Sequence, residues 1–249
     1  MASARGAFIL FEGVDRCGKT TQAQRLVATL CASNQPAVFM RFPDRDTAIG
    51  GQIDAYLKGA AEVDDRAIHL LFSANRWEKR CVRFRRAPFS RALRPNPPSF
   101  SSRARPSAAL LRTLRAGTHV VMDRYAFSGV AFSSAKPGLD VDWCAAPDEG
   151  LPAPDVVLFM DLPTEAAAAR GGFGGERYEN AAFQVAVRAA FSRLQERVGG
   201  ALLWRNVDAS GSRDDVAARV EAAALPVVET AKGGALELRA LWACRPLEG

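Results

Sequence analysis

The segment that most constrains the fold is GVDRCGKT at residues 13–20, which fits the pattern G-x-x-x-x-G-K-[ST]. It follows a short apolar run, AFILF at residues 7–11, and precedes an amphipathic stretch at residues 20–31. In such a strand–loop–helix unit the glycines let backbone N–H groups surround a phosphate, the lysine reaches the outer phosphates, and the final hydroxyl can ligate magnesium. The segment therefore predicts a nucleoside triphosphate site that contains Gly13, Gly18, Lys19, Thr20 and Thr21.

Short apolar runs alternate with amphipathic stretches along most of the chain. Runs rich in β-branched and aromatic residues predict strands at residues 7–11, 37–42, 119–122, 156–160 and 202–207. Apolar residues at three- and four-residue intervals predict helices at residues 20–31, 64–79 and 180–198. This alternation is typical of βαβ units, so we expect a parallel sheet with helices packed against it.

A polar pair follows the strand predicted at residues 119–122. Asp123 and Arg124 stand at its carboxyl end, where the ligands of open α/β sheets collect. The carboxylate of Asp123 can complete the coordination of a magnesium ion, and the planar guanidinium of Arg124 can hold two phosphate groups. The alternative is an Asp–Arg ion pair at the surface end of a strand.

The length of 249 residues, of which 48% are hydrophobic, suits one domain with a single sizeable core. No apolar run reaches the roughly 18 to 20 residues of a membrane helix, and the residues before the first apolar run are too few for a signal peptide. The five cysteines lack CxxC spacing, so reduced thiols are expected rather than a zinc site. We therefore expect a soluble protein of the cytoplasm or nucleus with no membrane partner.

Residues 80–106 differ in composition from the rest of the chain. They contain eight arginines, five prolines and no acidic residue, so the net charge of +6 comes from this segment. Such a composition neither builds a helix nor buries a core, which predicts a disordered insertion. The alternative, a basic arm for nucleic acid, is weakly indicated because the arginines lack regular spacing. We therefore expect no nucleic-acid partner.

Six ordered blocks of sequence extend over almost the whole chain except residues 80–106. They are FEGVDRCGKTTQ, RFPDRDTAIG, HLLFSANRWE, DRYAFSGVAF, DWCAAPDEGLPAPDVVLF and RGGFGGERYENAAFQ, and VDAS follows them at residues 207–210. This series resembles the thymidylate kinase family, in particular its animal members. The resemblance implies an α/β fold with a P-loop kinase core, in one domain over residues 1–249: a five-stranded parallel sheet with helices on both faces and a short lid.

The resemblance also implies an acceptor site for thymidine 5′-monophosphate (dTMP). Arg45 would hold its 5′-phosphate next to a cis Phe42–Pro43 bond, and Phe72 and Arg76 would bind the base from one face of a helix. Phe132 would fill the space of a ribose 2′-hydroxyl and so favour deoxyribose. From the residues alone, Phe72 would be assigned to the core and residues 41–45 to a turn. The other residues expected at this site are Asp15, Arg124, Ser128, Gly129, Tyr178 and Gln184.

On the donor side the resemblance implies positive charge around the transferred phosphoryl group. Arg16 matches the P-loop position at which some family members carry their catalytic arginine. Residues 170–180, which from composition alone are a glycine-rich surface loop, would form a mobile lid whose Arg170 and Arg177 close over ATP, with residues 207–210 beside the adenine. The catalytic set implied is Arg16, Lys19, Asp15 and Arg124, and the magnesium ligands implied are Thr20 and Asp123.

The expected activity is phosphorylation of dTMP by ATP and Mg²⁺ in dTTP synthesis, by a homodimeric enzyme. One alternative is another pyrimidine (deoxy)nucleotide kinase. The set of Arg45, Phe72, Arg76 and Phe132 would distinguish a dTMP kinase from such an enzyme. The other is a catalytically weak nucleotide-binding protein that the insertion at residues 80–106 has disabled or repurposed. That insertion begins just after the helix expected to hold the base.

Overall fold

The computed structural model describes residues 4–79, 109–170 and 174–242. The insertion predicted at residues 80–106 lies outside these residues, as do residues 171–173 of the predicted lid. The described residues form five strands, β1 (Phe8–Glu12), β2 (Ala37–Arg41), β3 (His119–Asp123), β4 (Val156–Asp161) and β5 (Leu203–Asp208). All neighbouring strands pair in parallel, in the order β2-β3-β1-β4-β5. The predicted parallel sheet and α/β fold class are confirmed.

Helices connect these strands. They are α1 (Lys19–Ala32), α2 (Ala48–Leu57), α3 (Asp65–Lys79), α4 (Ala109–Arg115), α5 (Ala126–Ser134), α6 (Val141–Ala145), α7 (Thr164–Ala168), α8 (Ala181–Val198) and α9 (Arg213–Lys232). The three helices predicted individually are α1, α3 and α8, and their ends agree with the prediction to within one residue. The side chain of Asn180, the last residue of the predicted lid, accepts hydrogen bonds from two backbone N–H groups of the first turn of α8 and so fixes where that helix starts.

The sheet is buried on both faces, which explains why its central strands are continuous apolar runs. Every residue of β1 and β3 is buried. Along β1, Phe8 and Leu10 pack with residues of α5 and α8 on one face. Ile9 and Phe11 pack with residues of α1 and α9 on the other. Helices therefore cover both faces, as expected for this fold class.

A smaller apolar cluster joins α2 to α3. Its buried members are Ile53, Tyr56, Leu57 and Ile68, and Phe72 and Tyr178 pack against them. Tyr178 belongs to the predicted lid and Phe72 to the helix expected to bind a base. The cluster thus brings the end of the lid next to the face of α3 that carries the candidate site residues.

No helix within the described residues combines the length and the apolar character that a membrane span requires. Three cysteines fall within the described ranges, Cys17, Cys31 and Cys144, and all of them are free thiols.

Candidate active site

A cleft of about 870 Å³ lies at the carboxyl ends of the central strands. The loops that follow parallel strands meet at this edge of a sheet, which is why residues distant in sequence line one space. We call the part lined by Lys19, Thr21, Arg170 and Ala209 the donor half, and the part lined by Arg45, Phe72, Arg76 and Phe132 the acceptor half. The predicted site residues that line the cleft are Asp15, Arg16, Gly18, Lys19, Thr20, Thr21, Arg45, Phe72, Arg76, Asp123, Arg124, Ser128, Gly129, Phe132, Arg170 and Tyr178.

The P-loop has the backbone that its two glycines permit. Gly13 and Gly18 adopt φ angles of 141° and 97°, which residues with a side chain rarely adopt. A Cβ on Gly13 would lie 2.8 Å from the carbonyl oxygen of Met160, so this glycine lets the loop pass close to β4. Lys19 is buried, and its Nζ donates to the carbonyl oxygen of Val14 at 2.5 Å. The loop thus holds one ammonium group beside the N-terminus of α1, an arrangement that suits an anion.

Thr20 and Asp123 come together where the sequence predicts magnesium ligands. The Thr20 hydroxyl donates to Oδ2 of Asp123 in a very short contact. Asp123 is almost fully buried, yet its Oδ1 has no hydrogen-bond partner among the described residues. Within those residues no group of three or more His, Cys, Asp or Glu side chains could hold a metal ion by itself. This donor set fits Mg²⁺, which usually takes one or two protein oxygens and completes its coordination with waters and substrate phosphates.

Arg124 and Asp15 connect the two halves of the cleft. Arg124 donates through Nη2 to Oδ1 of Asp15 in a very short contact and through Nη1 to the Ser128 hydroxyl at 3.2 Å. Gln184 donates to Oδ2 of Asp15 at 2.7 Å and accepts from its backbone N–H at 2.9 Å. Burial acts to raise the pKa of Asp15, but the charges of Arg124 and Lys19 outweigh it, and the pKa lies below its usual value. Asp15 is therefore a carboxylate that fixes the position of Arg124.

The two arginines of the acceptor half are bound to carboxylates. Arg45 contacts Asp54 at 2.6 Å and Glu176 at 2.7 Å. Arg76 donates to Asp148 through Nε at 3.0 Å and Nη2 at 2.5 Å. Asp148 is fully buried and Arg76 nearly so, and this two-point contact holds the guanidinium in one orientation.

Aromatic rings complete the wall of the acceptor half. The ring centroids of Phe132 and Tyr178 are 5.6 Å apart, and Tyr178 stacks on Phe183 at 5.3 Å. Phe132 also contacts Arg124, whose guanidinium carbon lies 5.1 Å from the ring centroid. These contacts fix the Phe132 ring beside the arginine that joins the two halves.

Residues 174–180 contact the P-loop through Glu179. Arg16 donates to Oε1 of Glu179 through Nε at 2.8 Å, and Nη2 lies 2.8 Å from the same oxygen. The backbone N–H groups of Gly174, Gly175 and Glu176 donate to Oε2 at 3.0, 2.8 and 3.3 Å. Burial acts to raise the pKa of Glu179, but these donors, the Arg16 hydrogen bond first, lower it below its usual value. The carboxylate therefore ties this part of the lid to Arg16.

Arg170 forms a further contact between the predicted lid and the donor half. Its Nη1 donates to the carbonyl oxygen of Arg16 at 3.1 Å and its Nη2 to that of Ala209 at 3.1 Å. Ala209 belongs to the VDAS segment at residues 207–210. Arg170 thus spans from the P-loop to the segment expected beside the adenine.

The comparisons with known proteins agree with this geometry. The family model described as thymidylate kinase matches residues 11–83 and 101–220. The thymidylate kinase of Homo sapiens is 44% identical over 216 residues, which cover 87% of this chain and 88% of the human protein. The chain belongs to the thymidylate kinase family. The resemblance inferred from the sequence blocks is therefore confirmed.

Other thymidylate kinases extend the match. The Arabidopsis thaliana enzyme is 41% identical over 239 residues, 96% of this chain and 78% of the plant protein. A solved structure of the Candida albicans thymidylate kinase superposes with a TM-score of 0.71 at 31% identity, covering 96% of this chain and 99% of the fungal chain. The fold of the described residues is thus that of a thymidylate kinase.

Three of the predicted site residues do not line the cleft: Gly13, Gln184 and Arg177. Gly13 acts through the loop backbone and Gln184 through Asp15, as described above. Arg177 pairs with Glu62 at 2.6 Å, and its guanidinium carbon lies 4.3 Å from the ring centroid of Tyr56. Its neighbours Glu176 and Tyr178 line the cleft, so Arg177 faces the opposite side of the segment. The structure does not bring Arg177 to the donor half.

Apart from Asp15, sequence reasoning missed the carboxylates that hold the site arginines and helix α5. Glu12 is fully buried and accepts from the backbone N–H groups of Tyr125 and Ser128 at 2.9 and 3.0 Å and from the Ser128 hydroxyl at 2.5 Å. Burial raises the pKa of Glu12 above its usual value. An acidic residue at the end of the apolar run AFILFE was the available signal. Asp148 and Glu179 carried no comparable signal, because neither stands at the end of an apolar run.

Gly129 provides a test of the Arg76 geometry. A Cβ at this position would lie 2.7 and 2.9 Å from the two terminal nitrogens of Arg76, which Asp148 holds in place. We expect Gly129→Ala to raise the KM for dTMP by about tenfold with little change in the KM for ATP, because it displaces the guanidinium from the acceptor half. Steady-state kinetics with each substrate varied would measure both constants.

Gly51→Ala is the matched control. It makes the same change in α2 at a position where a Cβ would have no neighbour within 4 Å, so the KM for dTMP should stay unchanged. An unchanged KM in Gly129→Ala would show that Arg76 can move without loss of acceptor binding.

Proposed function

We propose that this protein transfers the γ-phosphoryl group of ATP to dTMP. The proposal rests on one observation. The P-loop and the acceptor half, with its arginines and aromatic rings, line the same cleft and meet at Arg124. A triphosphate in the P-loop and a monophosphate in the acceptor half would face each other across that arginine. Phosphoryl transfer needs this arrangement because it depends on positioning and on positive charge rather than on covalent chemistry of the protein.

The arginines and Lys19 supply that charge. Lys19 and the N-terminus of α1 would hold the donor phosphates, and Arg16 would neutralise charge on the transferred group. Arg45 and Arg124 would bind the acceptor phosphate through their planar forks. Guanidinium groups stay protonated at any physiological pH, so these charges do not depend on the titration of the site.

In this proposal, Arg76 and Phe72 recognise the base of the acceptor. An arginine only donates hydrogen bonds, so Arg76 would bind a carbonyl oxygen of thymine or uracil and would leave the amino group of cytosine without an acceptor. The ring of Phe72 would stack on the base. Because Asp148 fixes the Arg76 guanidinium, this recognition does not require ordering a flexible side chain when the acceptor binds.

Magnesium would be held at the bound phosphates by Thr20 and Asp123. When bound, the ion supplies charge neutralisation of the donor phosphates. Asp123 is suited to this role because its Oδ1 is buried without a partner among the described residues.

We further propose that the protein forms a homodimer in the cytoplasm or nucleus. Two large apolar side chains, Leu70 on α3 and Trp143 on α6, are 47% and 36% exposed, and His69 packs against Trp143. The His69–Trp143 contact makes α3 and α6 neighbours, and exposed apolar side chains on neighbouring helices favour an interface. Light scattering coupled to size-exclusion chromatography would measure the mass, and a monomer at micromolar concentration would contradict this part of the proposal.

The decisive experiment is an ADP-release assay with a panel of nucleoside monophosphates. We expect the highest kcat/KM with dTMP and only slow ATP hydrolysis without an acceptor. Best turnover of another pyrimidine nucleotide would favour the broader kinase, a property for which the Candida albicans enzyme, with its broad substrate specificity, is a precedent. Absence of turnover with every acceptor would favour the catalytically weak nucleotide-binding protein.

The sugar preference is a separate prediction of the same assay. Because the Phe132 ring packs against both Arg124 and Tyr178, it cannot readily make room for a 2′-hydroxyl. We expect kcat/KM with dUMP to exceed that with UMP by at least about tenfold, since a hydroxyl placed against the ring would lose its hydrogen bonds. These two acceptors differ only at the 2′ position, so equal values would remove Phe132 as the filter.

A further inference from the structure

Lys136, which no step of the proposed reaction uses, lies at the centre of a polar cluster behind the acceptor half. It follows the last residue of α5 by two positions, and only 9% of its side chain is exposed. Its Nζ donates to Oδ1 of Asp65 at 2.6 Å, to the hydroxyl of Tyr178 at 3.0 Å and to the hydroxyl of Tyr56 at 3.3 Å. The ammonium therefore joins the end of α5 and the start of α3 to a residue of the predicted lid.

Of the two tyrosines that Lys136 contacts, only Tyr178 lines the cleft. Its ring packs against Phe132 and stacks on Phe183, while its hydroxyl points away from them to the ammonium. Burial raises the pKa of Tyr178, so the hydroxyl stays neutral and accepts the hydrogen bond. The ring is thus held at both ends, by aromatic neighbours on the cleft side and by Lys136 on the other.

We propose that Lys136 is a positioning residue that holds Tyr178 against Phe132 and thereby sets how strongly the enzyme discriminates between deoxyribonucleotide and ribonucleotide acceptors. This rests on the proposed function, because it assigns the Phe132 wall to the sugar of the acceptor. The physical reason is that a ring excludes a hydroxyl only if it cannot shift. Both Tyr178 and Arg124 contact the Phe132 ring, and Lys136 restrains the polar end of Tyr178.

Replacement of Lys136 by methionine should not unfold the protein. Methionine keeps the length and the apolar contacts of the side chain without the charge. Asp65 is half exposed and would be hydrated, and the hydroxyls of Tyr56 and Tyr178, 3.4 Å apart, can still bond to each other. The variant therefore leaves no buried unpaired charge.

The experiment compares kcat/KM for dUMP and UMP in the wild type, in Lys136→Met, in Tyr178→Phe and in the double variant, together with their melting temperatures. We expect the dUMP-to-UMP ratio to fall about tenfold in each single variant, and the double variant to lose no more, because both changes remove the same hydrogen bond. Tyr56→Phe is the matched control. It removes a hydroxyl that contacts both the ammonium and the Tyr178 hydroxyl, on a ring outside the cleft, but it leaves the hydrogen bond from Lys136 to Tyr178. Its ratio should therefore equal that of the wild type.

Two results would overturn the proposal. One is a ratio in Lys136→Met and Tyr178→Phe that equals the wild-type value. The other is an equal loss with both acceptors and a lower melting temperature, which is what a merely structural role would give. Turnover of dTMP by the wild type is measured alongside and tests the proposed function separately. If the wild type phosphorylates dTMP, either of these two results removes only the role of Lys136.

Discussion

Arg16→Ala is expected to lower kcat with ATP and dTMP by roughly a hundredfold or more. Arg16 belongs to the P-loop and lines the cleft, and its guanidinium would neutralise charge that develops only as the phosphoryl group moves. The loss should therefore fall on kcat, while the Kd for ATP changes little. Steady-state kinetics and calorimetric titration with an ATP analogue would measure the two quantities.

The structure also indicates that this variant keeps its fold. Glu179 loses Arg16 but retains the backbone N–H donors of Gly174, Gly175 and Glu176. Arg25→Ala is a suitable control. Arg25 lies on α1, the helix that follows the P-loop, and makes an exposed ion pair with Asp214 of α9. Its kcat should equal that of the wild type. An Arg16→Ala enzyme with wild-type kcat would show that Arg16 has no part in the chemistry.

Arg124→Lys is expected to lower kcat/KM for dTMP by about a hundredfold, although it keeps the positive charge. Arg124 uses separate nitrogens for Asp15 and Ser128, and its face lies against Phe132. A lysine ammonium beside Asp15 could not also span to Ser128 and to an acceptor phosphate. The change should raise the KM for dTMP and lower kcat together, with the Kd for ATP nearly unchanged, and stopped-time assays at varied dTMP would resolve the two constants.

The control for this substitution is Arg188→Lys. Arg188 makes an exposed ion pair with Asp161 at 2.6 Å, away from the cleft lining, so the same chemical change there should leave kcat/KM unaltered. If Arg124→Lys were as active as Arg188→Lys, a single point charge would suffice, and the two-point binding of phosphate by Arg124 would be wrong.

The elements of the sheet were predictable because they leave a local signature. The strands β1, β3 and β4 lie in the middle of the sheet with both faces covered, so each appears as an apolar run. The helices α1, α3 and α8 each bury one face, which produces the three- and four-residue period. The P-loop is likewise a contiguous segment, and its glycines mark positions where the backbone itself has an unusual conformation.

Side-chain partners in the site were not predictable in this way. Arg76 and Asp148 are 72 residues apart, and Arg16 and Glu179 are 163 apart, so no spacing rule connects them. Arg177 shows that the direction of a side chain is also unpredictable within a single segment. Its charge suits ATP, but the neighbouring positions Glu176 and Tyr178 face the cleft, and Arg177 packs on Tyr56 outside it.

The sequence by itself therefore determined the α/β class, the position of the P-loop and, through its ordered blocks, the thymidylate kinase family. These depend on residues close together in the chain, whose conformations are set by local sterics, periodicity and burial. Only the tertiary structure decided which carboxylate holds each arginine, which lid residue enters the cleft and that Lys136 lies behind Tyr178. Those choices depend on how separate segments pack against one another, because ion pairs and ring contacts require atoms within a few ångströms in space, whatever their distance in sequence.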